Sequence, residues 1–297
     1  MRKARRVFLG NSLTANLLAR EDDVIVDFWE GGSDLYGWSL GSTCLDRVPI
    51  FLRRSCCHQL FGNALRDVDV EVVIEGFEDI VVEKLGDISR SFIGFSGRML
   101  TPEYPVCTYY RKLLSKSKST KVFSPIAKVS LQSKCVKTYH YEVEYEELVN
   151  TLPLYYLLSK SGLSELASHL TYSSAYALLI ISNTKLGEYT KILIGHKGYS
   201  LGYVVVYGKH PLGKLIYAFA PLEKDLLKAE LTNQAVVELK RLKLIEGPIK
   251  LMRSFFIKYF KMGGDISEVR RALKNYGVTL AGRYGSWTDI SLCDICP

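Results

Sequence analysis

Short apolar runs separated by glycine turns make up most of the chain, and their spacing alternates between strand and helix periods. Arg5 to Gly10 (RRVFLG) reads as a buried strand ending in a turn, and Leu13 to Arg20 (LTANLLAR) has helical spacing. Val24 to Trp29 (VIVDFW) reads as a second strand, followed by Glu30, so the chain opens as a compact βαβ unit. Val68 to Ile74, Ile80 to Lys84 and Ser91 to Phe95 read as further strands, punctuated by Gly76, Gly86 and Gly94 to Gly97. The basic stretch Arg111 to Lys121 reads as a surface loop or a short solvated helix. Strands are expected again at Ala127 to Leu131 and Lys137 to Val143, then at Leu148, where Pro153 ends the run. Leu154 to Leu170, Leu222 to Leu242 and Ser267 to Tyr276 carry helical spacing. Ala175 to Ile181, Lys191 to Ile194, Tyr203 to Tyr207 and Lys214 to Pro221 read as strands of a second sheet.

Composition narrows the class. The 297 residues are 47% apolar and 24% charged, the balance of a globular chain long enough for one large domain or two joined ones. The net charge of +8 favours anionic partners, but no nucleic-acid signature accompanies it, so no nucleic-acid partner is expected. Val7 to Leu9 is too short for a secretory core and Ala175 to Ile181 too short to span a bilayer. A cytoplasmic protein is expected. Lys240 to Lys261 interleaves Lys and Arg with apolar residues, which leaves peripheral membrane contact open beside a core-facing helix plus strand. The seven cysteines are odd in number and scattered, which argues against a disulfide scaffold and for ordinary thiols, with Cys293 and Cys296 as a candidate redox pair. Neither these cysteines nor the five histidines fall at metal spacing, and no metal is expected.

The opening turn carries the first candidate chemistry. A phosphate-binding βα turn uses small residues to turn, to admit the pyrophosphate and to pack helix on strand. Gly10 and Ala15 fit that pattern, whereas Ser12 stands where a second glycine would give the closest approach. Glu30 follows Gly10 by 20 residues, the place of a carboxylate that holds the adenosine ribose. An ordinary βα turn with an exposed glutamate reads equally well from these residues alone.

Three further stretches carry a family resemblance. Gly31-Gly32, Leu35-Tyr36-Gly37-Trp38-Ser39 and Cys44 to Pro49 follow Glu30 as a Gly-rich turn leading into a strand with an Asp. Tyr145 to Leu154 is similar to a "YDxLIsTlPL" stretch, and Gly277 to Trp287 (GVTLAGRYGSW) to a "GxxxxGRxGxW" flavin motif. In this order the motifs resemble the FAD-dependent amine oxidase, protoporphyrinogen oxidase and UDP-galactopyranose mutase superfamily. The resemblance implies an α/β fold: a Rossmann-like FAD-binding domain of the GR2 type with an inserted, mainly antiparallel β substrate domain. The FAD domain is expected over 1–65, 110–153 and 270–297, and the substrate domain over 66–109 and 154–269.

The resemblance implies FAD as cofactor and hydride transfer from a small-molecule substrate to the flavin. It places Gly10, Ser12 and Ala15 at the pyrophosphate and Glu30 at the ribose, with Gly31, Gly37 and Trp38 along the cofactor. It puts Arg283 near the pyrophosphate and Gly282, Gly285 and Trp287 at the flavin end; no catalytic residue is assigned. The sequence also departs from the family. Only about 15 residues stand where a long helical segment covers the flavin, which points to an open flavin face or one covered by a partner or a second copy. Val48-Pro49-Ile50-Phe51 stands where the mutases carry a histidine, and a final capping helix is short or missing. Two alternatives therefore stand beside an oxidoreductase: a catalytically degenerate FAD-binding or interaction module, and a redox-neutral mutase-like isomerase.

Overall fold

The computed structural model describes residues 2–31, 34–41, 43–53, 58–86, 93–222, 230–288 and 292. In chain order its elements begin with β1 (Arg2–Leu9), α1 (Leu13–Leu18), β2 (Val24–Asp27), the hairpin β3 (Trp38–Leu40) and β4 (Thr43–Leu45), and α2 (His58–Phe61). Next come β5 (Leu65–Gly76), α3 (Glu78–Leu85), β6 (Gly97–Pro102), α4 (Val106–Lys116), β7 (Thr120–Phe123), β8 (Ile126–Ser130), β9 (Cys135–Thr138) and β10 (Glu142–Asn150). They continue with α5 (Leu154–Ser161), β11 (Thr171–Asn183), β12 (Thr190–Gly195), β13 (Tyr203–His210) and β14 (Gly213–Leu222). The chain closes with α6 (Leu231–Arg241), β15 (Glu246–Gly263), α7 (Ser267–Asn275), β16 (Val278–Leu280) and α8 (Gly282–Gly285).

The first sheet contains a parallel core in the order β7-β2-β1-β10-β16. Strand order reverses between β1 and β10, which is the switch point where open α/β sheets leave a crevice beyond their carboxyl ends. The first half of β10 pairs with β9, which pairs with β8 in an antiparallel meander. Its second half, Leu148 to Asn150, pairs with Val278 to Leu280 of β16. One face of the sheet buries Val7, Leu9, Val24, Val26 and Val122 beneath the meander and α5, and the other buries Phe8 and Ile25 against Ala15 of α1.

The second sheet has seven strands in the order β15-β11-β14-β13-β12-β5-β6. Strand β11 carries the unbroken apolar run Ala175 to Ile181 because both of its faces are covered. Leu178 and Ile180 pack beneath α6, and Ala177 and Leu179 pack with Val81 and Leu85 of α3 and Leu45 of β4. Strand β15 lies on the edge, which is why it tolerates Gly247-Pro248 and a row of lysines and arginines.

Several segments differ from the sequence expectation. The strand expected over Lys137 to Val143 is broken by the turn at 139–141, and the helix expected over Leu154 to Leu170 ends at Ser161, where Gly162 takes φ +76°. Ile80 to Lys84 is helical in α3, where acidic Glu78 and Asp79 occupy the first turn and Lys84 the last, matching the helix dipole. The basic junction is the end of α4, an 11-residue helix that buries Val106, Cys107 and Tyr110. The Lys240 to Lys261 stretch is the end of α6 followed by edge strand β15, the helix plus strand expected there, and no interfacial helix runs across it. Helix α6 begins at Leu231; the earlier part of that expected helix, 223–229, lies outside the described residues. Ser91 and Phe92 of the third expected strand also lie outside them.

The two ends of the chain meet on β10. Ala281 N–H donates to Asn150 O at 2.9 Å, and a Cβ on Gly285 would lie 2.1 Å from the same carbonyl. Only a glycine lets α8 sit so close to the end of β10. Gly285→Ala should therefore cost about 1–3 kcal/mol, read as a lower urea midpoint with an unchanged slope; an unaltered midpoint would show that α8 does not dock there.

Candidate functional site

The turn after β1 lies at the carboxyl end of the parallel sheet. Gly10 has φ +97°, a conformation that favours glycine, and its N–H donates to Val26 O at 2.8 Å. Ser12 caps α1: its Oγ accepts from Ala15 N–H at 3.1 Å and donates to Thr151 Oγ1 at 2.8 Å. Thr151 Oγ1 in turn donates to Leu9 O at 2.8 Å. The Gly10 to Ala15 turn, β10 and the C-terminal motif are thus brought together, since a Cβ on Gly282 would lie 2.7 Å from Thr14 Oγ1.

The acid at the end of β2 is Asp27, 17 residues after Gly10, and not Glu30. Its carboxylate accepts Asn11 N–H at 2.6 Å and Phe28 N–H at 2.7 Å. Burial pushes its pKa above the usual carboxylate value, against the opposing pull of these amides. Glu30 lies three residues past the strand with its side chain exposed and acting on Lys121 electrostatically, and its carbonyl accepts from Asn11 Nδ2 at 2.5 Å.

Helix α4 closes over this turn. Tyr110, fully buried, donates from its hydroxyl to Asn11 O at 2.7 Å, and Asn11 itself is 1% exposed. Tyr110 packs with Leu13, Leu52, Phe61 and Val106 in one apolar cluster. Two devices hold the start of α4. The Asp46 carboxylate accepts Val106 N–H and Cys107 N–H, each at 2.8 Å, and Cys44 is disulfide-bonded to Cys107 with Cα atoms 6.2 Å apart. The sequence reading of ordinary thiols is corrected at this pair; Cys135 is free, and Cys56, Cys57, Cys293 and Cys296 lie outside the described residues.

The remaining expected cofactor residues are engaged within the protein. Gly31 lies under the Trp29 ring, and Gly37 lies against Leu45 O and Cys107. Trp38 packs edge-on against Phe255 at 5.2 Å, and the Arg47 guanidinium lies 5.6 Å from the Trp38 ring centroid and 5.3 Å from that of Trp29. Arg283 donates to Tyr259 O at 3.0 Å and to Phe260 O at 2.6 Å. Trp287, 2% exposed, donates to Gly263 O at 3.0 Å and packs edge-on against Tyr172 and Tyr259. Arg283 and Trp287 therefore tie the C-terminal motif to β15.

FAD held in the dinucleotide mode needs the turn open to its pyrophosphate and an acid free for its ribose. Here Gly10, Asn11, Leu13, Thr14 and Ala15 are buried by the chain itself and Ser12 is half-buried. The fit to the cofactor in that mode fails at the acid, because the Asp27 carboxylate is 1% exposed and held by Asn11 N–H and Phe28 N–H. Sequence reasoning missed Asp27 and Tyr110, although Asp27 ends the VIVD run and Val106, Tyr110 and Leu113 recur at i, i+4 and i+7.

No protein-family model and no curated protein sequence matches the chain. Solved structures do. A reduced UDP-galactopyranose mutase is 12% identical, aligning over 99% of this chain and 92% of its own with a TM-score of 0.75. A protein from Exiguobacterium sp. 255-15 assigned as a protoporphyrinogen oxidase is 15% identical over 95% of this chain and 94% of its own, with a TM-score of 0.73. A fatty acid isomerase from P. acnes is 10% identical over 94% and 93%, with a TM-score of 0.67. The chain thus shares the fold of these mutase, oxidase and isomerase structures, the fold that its motifs led us to expect. No helix among the described residues is long and apolar enough to cross a membrane.

The anchor of α4 generates a pH prediction. Burial outweighs the two amide bonds and pushes the Asp46 carboxyl up to about 6, above its unfolded value of about 3.9. The folded state then binds the proton more tightly, so this contribution to stability is complete below about pH 4 and is lost as pH rises through about 6. Asp27 is raised too and acts in the same direction. Urea midpoints measured from pH 4 to 7 should fall with pH in the parent protein and fall distinctly less in Asp46→Asn; parallel slopes would remove Asp46 as the titrating group.

Proposed function

We propose that this chain is a catalytically degenerate member of the superfamily fold, a binding or assembly module in which the dinucleotide turn is closed and hydride chemistry has been lost. One observation carries the reading: the buried hydrogen bond from Tyr110 to Asn11 O, which seats a protein side chain against the turn. Ser12 supports it, because its hydroxyl serves as a helix cap and not as a phosphate donor. The first sheet is then a Rossmann-like domain built from both ends of the chain, and the sheet of β5, β6 and β11 to β15 descends from an inserted substrate domain.

A second reading, an FAD-binding oxidoreductase, is favoured by the strand order and by the docking of Gly282 on Thr14. Flavin has bands near about 375 and 450 nm, and they decide between the two. The purified protein should be colourless, with less than about one flavin per ten chains, and should take up no added FAD in equilibrium dialysis. Tyr110→Gly, checked for folding by circular dichroism, should take up more added FAD than the parent, because it removes the ring seated on Asn11. A yellow parent protein with near-stoichiometric FAD, bleached by dithionite and restored by air, would overturn the proposal.

A further inference from the structure

Away from the turn, the chain holds a cavity of about 810 Å³ between β7 and the tight turn that joins β9 to β10. Its wall combines cations and flat rings: Arg2, Lys121, Phe123, Tyr139, His140 and Tyr141. Three of the rings face water. Tyr139 is 73% exposed, Tyr141 57% and Phe123 40%. Backbone bonds build the tip that carries them: Tyr139 N–H donates to Pro125 O at 3.2 Å, and Thr138 Oγ1 accepts Tyr141 N–H at 2.9 Å. The rings are therefore presented by an ordered hairpin and not by a loose loop.

The charge of this wall is only partly compensated: Glu30 acts on Lys121 electrostatically, and no carboxylate pairs with Arg2 among the described residues. Glu142, the acid in the lining, is paired with Lys137 at 2.8 Å. Lys121 donates to Leu114 O at 3.0 Å, which uses one of the three N–H groups of its ammonium. Exposed aromatic faces beside two cations match a ligand that carries both a π-face and a phosphate, because bases stack on aromatic rings while Arg and Lys take the phosphate oxygens. The cavity volume lies within the range of small-ligand sites, which fits one nucleotide better than a strand.

We propose that this cavity is a nucleotide site, with the base stacked on Tyr139 and Tyr141 of the β9–β10 turn and the phosphates held by Arg2 and Lys121. It lies apart from the Gly10 turn and needs neither an open dinucleotide groove nor a flavin. The site would give a closed superfamily fold a ligand of its own.

Calorimetric titration of the full chain with ADP tests it, with adenosine and inorganic phosphate as separate arms. ADP should bind, and each fragment should bind at least tenfold more weakly, because each lacks one of the two contacts. Tyr141→Ser and Arg2→Ser alter exposed side chains and should leave the unfolding midpoint unchanged while each weakens ADP by about tenfold, the scale of one stacked base. Photolabelling with 8-azido-ADP should mark the peptide that carries Tyr139 to Tyr141. Absence of ADP binding at millimolar concentration overturns the proposal, as does binding that both variants leave intact. A label on the peptide carrying Gly10 to Glu30 also overturns it and speaks instead for an open dinucleotide turn. Binding of single-stranded oligonucleotides that strengthens with length, with ADP ten times weaker, would make the ligand a strand and equally refute a mononucleotide site.

Discussion

The closed state of the molecule depends on one buried contact, the hydroxyl of Tyr110 against the carbonyl of Asn11. A phenol buried without a partner would be costly, so the bond both satisfies Tyr110 and fixes how far α4 descends onto the turn. The contact is not isolated. Asp46 and the Cys44–Cys107 disulfide hold the first turn of α4, and Asp27 holds the N–H of the residue whose carbonyl Tyr110 takes. Asn11 is therefore gripped from two sides, by β2 through its N–H and by α4 through its carbonyl.

This arrangement explains which parts of the molecule could be read from sequence. The βαβ opening, the end of β10, the strands β11 to β14 and α7 follow from apolar periodicity, because each buries a stripe or a face of regular spacing, whereas the strand expected over Lys137 to Val143 straddles the turn between β9 and β10. The meeting of the chain ends was legible from the glycines of GVTLAGRYGSW, since Gly282 and Gly285 both lie in closer contact than a Cβ permits. Helix α3 was not, because IVVEK satisfies strand and helix patterns alike and only the flanking charges and Gly86 separate them. The closure of the site was hidden for another reason. It rests on Tyr110, Asp46 and Cys107, which lie far from the motif they cover, and nothing in the motif records that a distant helix has settled on it.

The residues that carry the family resemblance are engaged within the protein. Arg283, expected beside a pyrophosphate, spends its guanidinium on two carbonyls of β15, and Trp287 spends its indole N–H on a third, all on the edge strand of the second sheet. Thr151 ties the opening turn to β10 and Gly282 docks against Thr14, so the C-terminal motif has become a clamp between the two sheets. Conservation of shape at such sites follows from close packing alone.

That engagement bears on the Ser12 departure, which by itself would look like the decisive loss. Restoring glycine there would remove the crowding hydroxyl, but it would also remove the α1 cap and its link to Thr151, and a cap exchanged for glycine costs only a few tenths of a kcal/mol. The turn would stay buried, because Tyr110, Leu13 and Asp27 would be unmoved. The helix above the turn is held by a carboxylate and a disulfide outside any recognisable motif. Closure is a property of the packed assembly of β2, α1, α4 and β4, and no single residue of the dinucleotide fingerprint could reverse it.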